Sequence, residues 1–114
     1  MHVLGLKTCD SCRRALRELR MAGHDAVLRD LRADPLSDAE IRDLLDRFGP
    51  ALVNRASTTW RGLDAVARDG DPAALLAEFP ALMKRPVIVT SAGAVHLGWD
   101  AGTRAAVLAD HRGA

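Results

Sequence analysis

The chain has 114 residues, 48% of them apolar and 27% charged, with a formal net charge of +1. This is the make-up of one globular domain, and so small a charge gives no electrostatic pull toward nucleic acid or a membrane surface. Two Trp, two Phe and no Tyr are too few for a base-stacking surface, and no apolar run approaches the roughly eighteen residues of a membrane span.

The opening "MHVLGLKT" is too short and too polar for a signal peptide, so the chain is expected in the cytoplasm. Within it, "HVLGL" (residues 2–6) suits a buried strand. The period then changes. Cys12, Ala15, Leu16, Leu19 and Ala22 recur as one face of an amphipathic helix, and Gly23 is its expected stop. "DAVLRDL" (residues 25–31) reads as a second strand. A strand–helix–strand this short predicts two parallel strands with a right-handed crossover. Ser37 and Glu40 have capping-box spacing and open a helix whose apolar face is Ile41, Leu44, Leu45 and Phe48, closed by Gly49-Pro50. Residues 51–82 read as short helices. One starts at Asp71-Pro72, an N-cap followed by a first-turn proline, and runs to about Glu78. "PVIVT" (86–90) and "AVHLG" (94–98) are β-rich, and the "SAG" between them makes a hairpin with Gly at the turn. Asp100 is placed to cap a last helix ending near Asp110. The order is β-α-β, a helical insert over about 36–83, then β-β-α. That is an α/β chain with a mixed four-stranded sheet, the order of a thioredoxin-like fold, and residues 1–114 are expected to form one such domain.

The chain's two cysteines, Cys9 and Cys12, form a C-x-x-C pair at the strand-to-helix junction. In a reducing compartment such a pair reads as redox chemistry rather than a structural staple. A thiol reacts as its thiolate, and Cys9 is placed where unpaired helix N–H groups and the positive end of the helix dipole favour that form. Lys7, Arg13 and Arg14 add positive charge nearby, while Asp10 opposes them. Cys12 lies one turn on and should be less exposed, placed to attack an adduct on Cys9 and close a small disulfide ring. A packing role stays open for both, above all for Cys12, which fits the apolar helix face. A zinc site needs four ligands, and there is no second C-x-x-C and no H-x₃-H, so no metal is expected.

Three blocks stand in this order: "LKTCDSCRRALREL", "LVNRASTTWRGLD" and "PALMKRPVIV…VHLGW". Together they resemble the ArsC/Spx family, the arsenate-reductase-like branch of the thioredoxin fold, and most of all its YffB-type members. The resemblance runs nearly end to end. It implies that Cys9 is the nucleophile and that Arg55 and Arg85 hold an oxyanion or a glutathione carboxylate. A guanidinium fork suits either ligand. Lys7, Arg13 and Pro86 join the candidate binding residues. Pro86 matches the cis-proline of thioredoxin-like folds, so a cis Arg85–Pro86 bond is expected. Arsenate reductases of this kind carry a further arginine after the last strand and a histidine shortly before the cysteine. Here Gly98 and Trp99 stand at the first place, and "VLGLKT" holds no histidine. The YffB-type members share both losses.

The resemblance therefore implies a thiol oxidoreductase with glutathione, or another small thiol, as co-substrate and an oxyanion or disulfide as substrate. No bound cofactor is expected, and a monomer is the default at this size. A second reading is a regulator of the Spx kind, binding RNA polymerase through its α subunit with the C-x-x-C as a redox switch. The basic face of the first helix (Arg13, Arg14, Arg17 and Arg20) is then either the surface for that partner or a solvated face. A third is a binding protein that keeps the fold without turnover.

Overall fold

The computed structural model describes residues 1–110, which fall into two compact units. One takes residues 1–31 together with the chain from residue 85 on, and the other takes residues 32–84.

The first unit is built on a mixed four-stranded sheet, as the element order predicts. Its strands are β1 (His2–Gly5), β2 (Val27–Asp30), β3 (Val87–Val89) and β4 (Val95–Leu97), in the spatial order β2-β1-β3-β4. β1 runs parallel to β2, with His2 opposite Val27 and Gly5 opposite Asp30. It runs antiparallel to β3, with Val3 opposite Ile88. β3 and β4 form the expected hairpin, turned at Gly93 with a φ of 89°. Successive strand residues face opposite ways, and Val3 and Leu4 are both buried. Hence β1 reads as a continuous apolar run rather than an alternating one.

Helix α1 (Asp10–Met21) connects β1 to β2 and buries Cys12, Ala15 and Leu19. Its end is a Schellman motif: Gly23 N–H bonds Arg20 O and His24 N–H bonds Leu19 O, both at 3.0 Å, with Gly23 at a φ of 93°. Ala22, expected on the apolar face, is instead the C-cap and is exposed, because the helix has already ended there. The core of this unit joins Val3, Ala15, Leu19, Ala26, Ile88, Trp99 and Val107, the last from the helix Ala101–Asp110. The Asp100 carboxylate caps that helix, accepting from Thr103 N–H at 2.8 Å.

The second unit is helical. In chain order its helices are α2 (Asp38–Phe48), α3 (Thr58–Arg61), α4 (Ala65–Arg68) and α5 (Pro72–Glu78); the helix at 101–110 is α6. The Ser37/Glu40 capping box forms in full. α3, α4 and α5 each begin at a side-chain cap, from Ser57, Asp64 and Asp71. α2 packs on α5, and their buried faces are Ile41 and Leu44 against Ala73, Leu75 and Leu76. One feature departs from the all-helical expectation: Val53 and Met83 form an isolated antiparallel bridge. Asn54 N–H bonds Leu82 O and Lys84 N–H bonds Leu52 O, each at 2.7 Å. The pairing spans thirty residues of sequence, so no local pattern announces it. Among the described residues no helix is long and apolar enough to cross a membrane.

Candidate active site

The site is built where β1 hands over to α1. Cys9 N–H bonds Leu6 O at 3.0 Å, which turns the chain tightly through Lys7 and Thr8. Cys9 then becomes the N-cap of α1, with extended backbone (φ −84°, ψ 122°), and its carbonyl accepts Arg13 N–H at 3.0 Å. An N-cap side chain commonly bonds the N–H groups of the first turn. The Cys9 side chain makes no such bond and stands partly exposed at the positive end of a twelve-residue helix.

Cys12 lies one turn on, facing inward, with no exposure at all. Burial pushes its thiol up to about 12, against the pull of a Leu6 backbone hydrogen bond and the charge of Arg85; the neighbouring Cys9 raises it further. Both cysteines are free thiols. The arrangement is an accessible sulfur at the helix cap with a buried, protonated one behind it.

Gly5 explains how Cys12 fits. A Cβ built on Gly5 would overlap the Cys12 sulfur and lie 3.2 Å from Cys12 Cβ, and it would meet nothing else within 4 Å. The thiol therefore occupies the space that any other residue's side chain would take. In the sequence Gly5 stands inside the strand pattern "HVLGL" with no role of its own. Its signal was a glycine inside a strand pattern, which often marks a close approach.

Arg85 and Pro86 reach the same end of the sheet from β3. Val87 pairs with Leu4, so the two residues before Val87 run alongside the end of β1. The Arg85–Pro86 bond is cis, as expected, and Pro86 is fully buried. Pro86 O accepts Gly98 N–H at 2.8 Å, and Gly98 has a φ of 86°. The stretch after β4 thus supplies a backbone contact at Gly98 followed by the core tryptophan Trp99. Arg85 is half-buried and forms no ion pair among the described residues.

Lys7 and Arg13 are exposed on this unit. Arg13 is ion-paired with Asp10, so the charge at the helix start is largely internally balanced. Arg55 belongs to the second unit. It is exposed, with its guanidinium carbon 5.7 Å from the centre of the Trp60 ring. Arg68 lies over the same ring at 5.5 Å, anchored by bonds to Trp60 O (3.2 Å) and Arg61 O (3.3 Å). Trp60 as a platform for Arg55 was likewise not legible, because α3 and α4 had no firm bounds in the sequence. Among the described residues no three His, Cys, Asp or Glu side chains come together as a metal ion would need.

A model of the ArsC family matches residues 4–107. An uncharacterised protein of Haemophilus influenzae is 37% identical over 92 residues, covering 76% of this chain and 81% of its own length. The solved structure of the YffB protein superposes with a TM-score of 0.81 at 26% identity, covering 94% of this chain and 97% of that one. An arsenate reductase (ArsC) related protein from Brucella melitensis superposes at 0.69 with 28% identity, covering 92% and 91%.

Proposed function

The chain belongs to the ArsC family, and from that premise we propose a thiol oxidoreductase with Cys9 as nucleophile and Cys12 as resolving thiol. One observation carries this reading. A partly exposed cysteine caps a twelve-residue helix, with a second, buried cysteine one turn behind it. The relationship to proteins described as arsenate reductase related supports thiol-based reduction as the reaction class.

The Cys9 thiolate attacks the sulfur of a disulfide substrate, or an oxyanion centre, and the helix N-terminus stabilises the charge on either side of that step. Arg85 holds the anionic part of the substrate or of glutathione. Its guanidinium is unpaired among the described residues and its charge already reaches Cys12. Arg55 keeps the anion-binding role that the resemblance gives its position. Glutathione or another small thiol supplies the electrons. Gly98 in place of a third arginine favours a disulfide over arsenate as the substrate. The reducing cytoplasm suits this chemistry, with the protein acting as a monomer.

The test is reduction of a glutathione mixed disulfide by the wild type, Cys9→Ser and Cys12→Ser proteins. Turnover by the wild type and none by Cys9→Ser is the expected outcome. Equal rates for both would remove Cys9 as nucleophile. The alternative is a redox switch on the RNA polymerase α subunit, which draws on the arginines of α1. Arg13 and Arg14 are paired with Asp10 and Glu18, and Arg20 donates to Ala26 O. That leaves the basic face largely committed within the chain, so the enzyme reading is the stronger. Binding to the α subunit in one redox state only would reverse the order.

A further inference from the structure

We infer that Gly5 is the positioning residue for the resolving step: its missing side chain seats the Cys12 sulfur within reach of Cys9 and so sets whether the enzyme can use two thiols or only one. The inference rests on the proposed roles of Cys9 and Cys12.

The geometry is specific. A Cβ on Gly5 would meet Cys12 and no other residue within 4 Å. Gly5 does not have a positive φ, so backbone conformation does not demand a glycine here. Nor can β1 shift to make room, because it is paired on both edges, with Leu31 N–H also bonded to Gly5 O at 2.8 Å. Cys12 lies in the first turn of a helix whose face is fixed by Ala15 and Leu19 in the core. Alanine at position 5 would therefore displace the sulfur by on the order of 1 Å, to restore ordinary van der Waals distance.

The step that depends on this position is the release of the adduct. Cys9 carries an external thiol as a mixed disulfide. Cys12 Sγ attacks Cys9 Sγ, the bond from Cys9 to the external sulfur breaks, and the Cys9–Cys12 bond forms. The departing thiolate leaves with the electron pair and takes up the proton that Cys12 loses. Cys12 is oxidised and the external thiol is reduced. Two further molecules of glutathione reduce the internal disulfide and leave as glutathione disulfide. In-line attack of one sulfur on another is sensitive to misplacement, and an error of about 1 Å can cost on the order of a hundredfold in rate.

The experiment adds glutathione disulfide to the reduced protein and follows intact mass with time, for the wild type and Gly5→Ala. The expected wild-type course is a short-lived glutathione adduct followed by the internal disulfide. Gly5→Ala is expected to form the adduct readily and to hold it about a hundredfold longer. Equal release by both proteins overturns the role of Gly5 and leaves Cys9 as nucleophile. A wild type that forms the adduct and keeps it overturns the inference through Cys12, again leaving Cys9. A wild type that forms no adduct overturns the underlying reading itself.

Should Gly5→Ala fold poorly, its thermal unfolding is compared with that of Gly5→Ala/Cys12→Ala. Removing the sulfur removes the main overlap, so the double variant is expected to recover most of the lost melting temperature, with non-additive coupling between the sites. A double variant no more stable than Gly5→Ala would show that the glycine serves something other than the thiol.

Discussion

Cys12 has no solvent exposure, and burial holds its thiol at about 12 where an unperturbed thiol ionises at 9.0. Between those two values the unfolded chain has released the proton and the folded chain still binds it. The unfolded state therefore binds fewer protons, and stability falls as pH rises. The contribution of this thiol is whole below about 9.0 and gone once pH passes about 12. Urea unfolding of the reduced protein at stepped alkaline pH is expected to show that decline, and Cys12→Ala should flatten it. A Cys12→Ala profile as steep as the wild type's would mean that other groups cause it. At this scale the C-x-x-C spacing gave both sulfurs their places, because three residues of helix bring the second thiol one turn behind the first. Gly5 stayed hidden because its role depends on a side chain seven positions away, across a turn.

Glu18 ties two elements together. Its carboxylate accepts from Arg104 of α6 at 2.6 Å and from Arg14 of its own helix at 2.8 Å. Arg104 first and Arg14 second hold its carboxyl at about 2, against an ordinary 4.5. Trp99 Nε1 is buried without a hydrogen-bond partner of good geometry, and its nearness to Glu18 adds only a lesser pull. The folded pKa is depressed, so the contribution is present above about 4.5 and lost as pH falls toward 2. Glu18→Gln is expected to shallow the acid limb of unfolding across that window. Raised salt should weaken the wild-type effect, because both arginines are well exposed. The ends of several elements were readable for a related reason. A cap is a contact within three or four residues, and Ser37, Asp71 and Asp100 all cap as their spacing predicts. The pairing of α1 with α6 through Glu18 and Arg104 spans most of the chain and left no local pattern.

Across the whole molecule, stability should follow the centre of the sheet. Ile88 is fully buried on β3, opposite Val3 of β1, whereas Val27 is 51% exposed on the edge strand β2. Ile88→Ala is expected to destabilise by about 2–5 kcal/mol through lost burial and a cavity. Val27→Ala should stay within about 0.5 kcal/mol. Urea titration of both variants checks this, and a similar cost for the two would contradict the core assigned to the first unit. The helical insert is visible in outline in the sequence because its elements change type. Strand signals stop after β2 and resume at β3, and the helical unit at 32–84 lies between them.

The sequence by itself determined the elements, their order, the cysteine pair at a helix start and the family to which the three blocks belong. Periodicity, capping and turn chemistry act over a few residues, so they are written where they act. The tertiary structure decided what depends on distant residues meeting. It set β1 between β2 and β3, buried one cysteine while leaving the other partly open, brought Arg85 and the cis-proline to the end of β1, and laid the Cys12 sulfur against a glycine. Burial and close packing are properties of the assembled core, and no local stretch of sequence contains them.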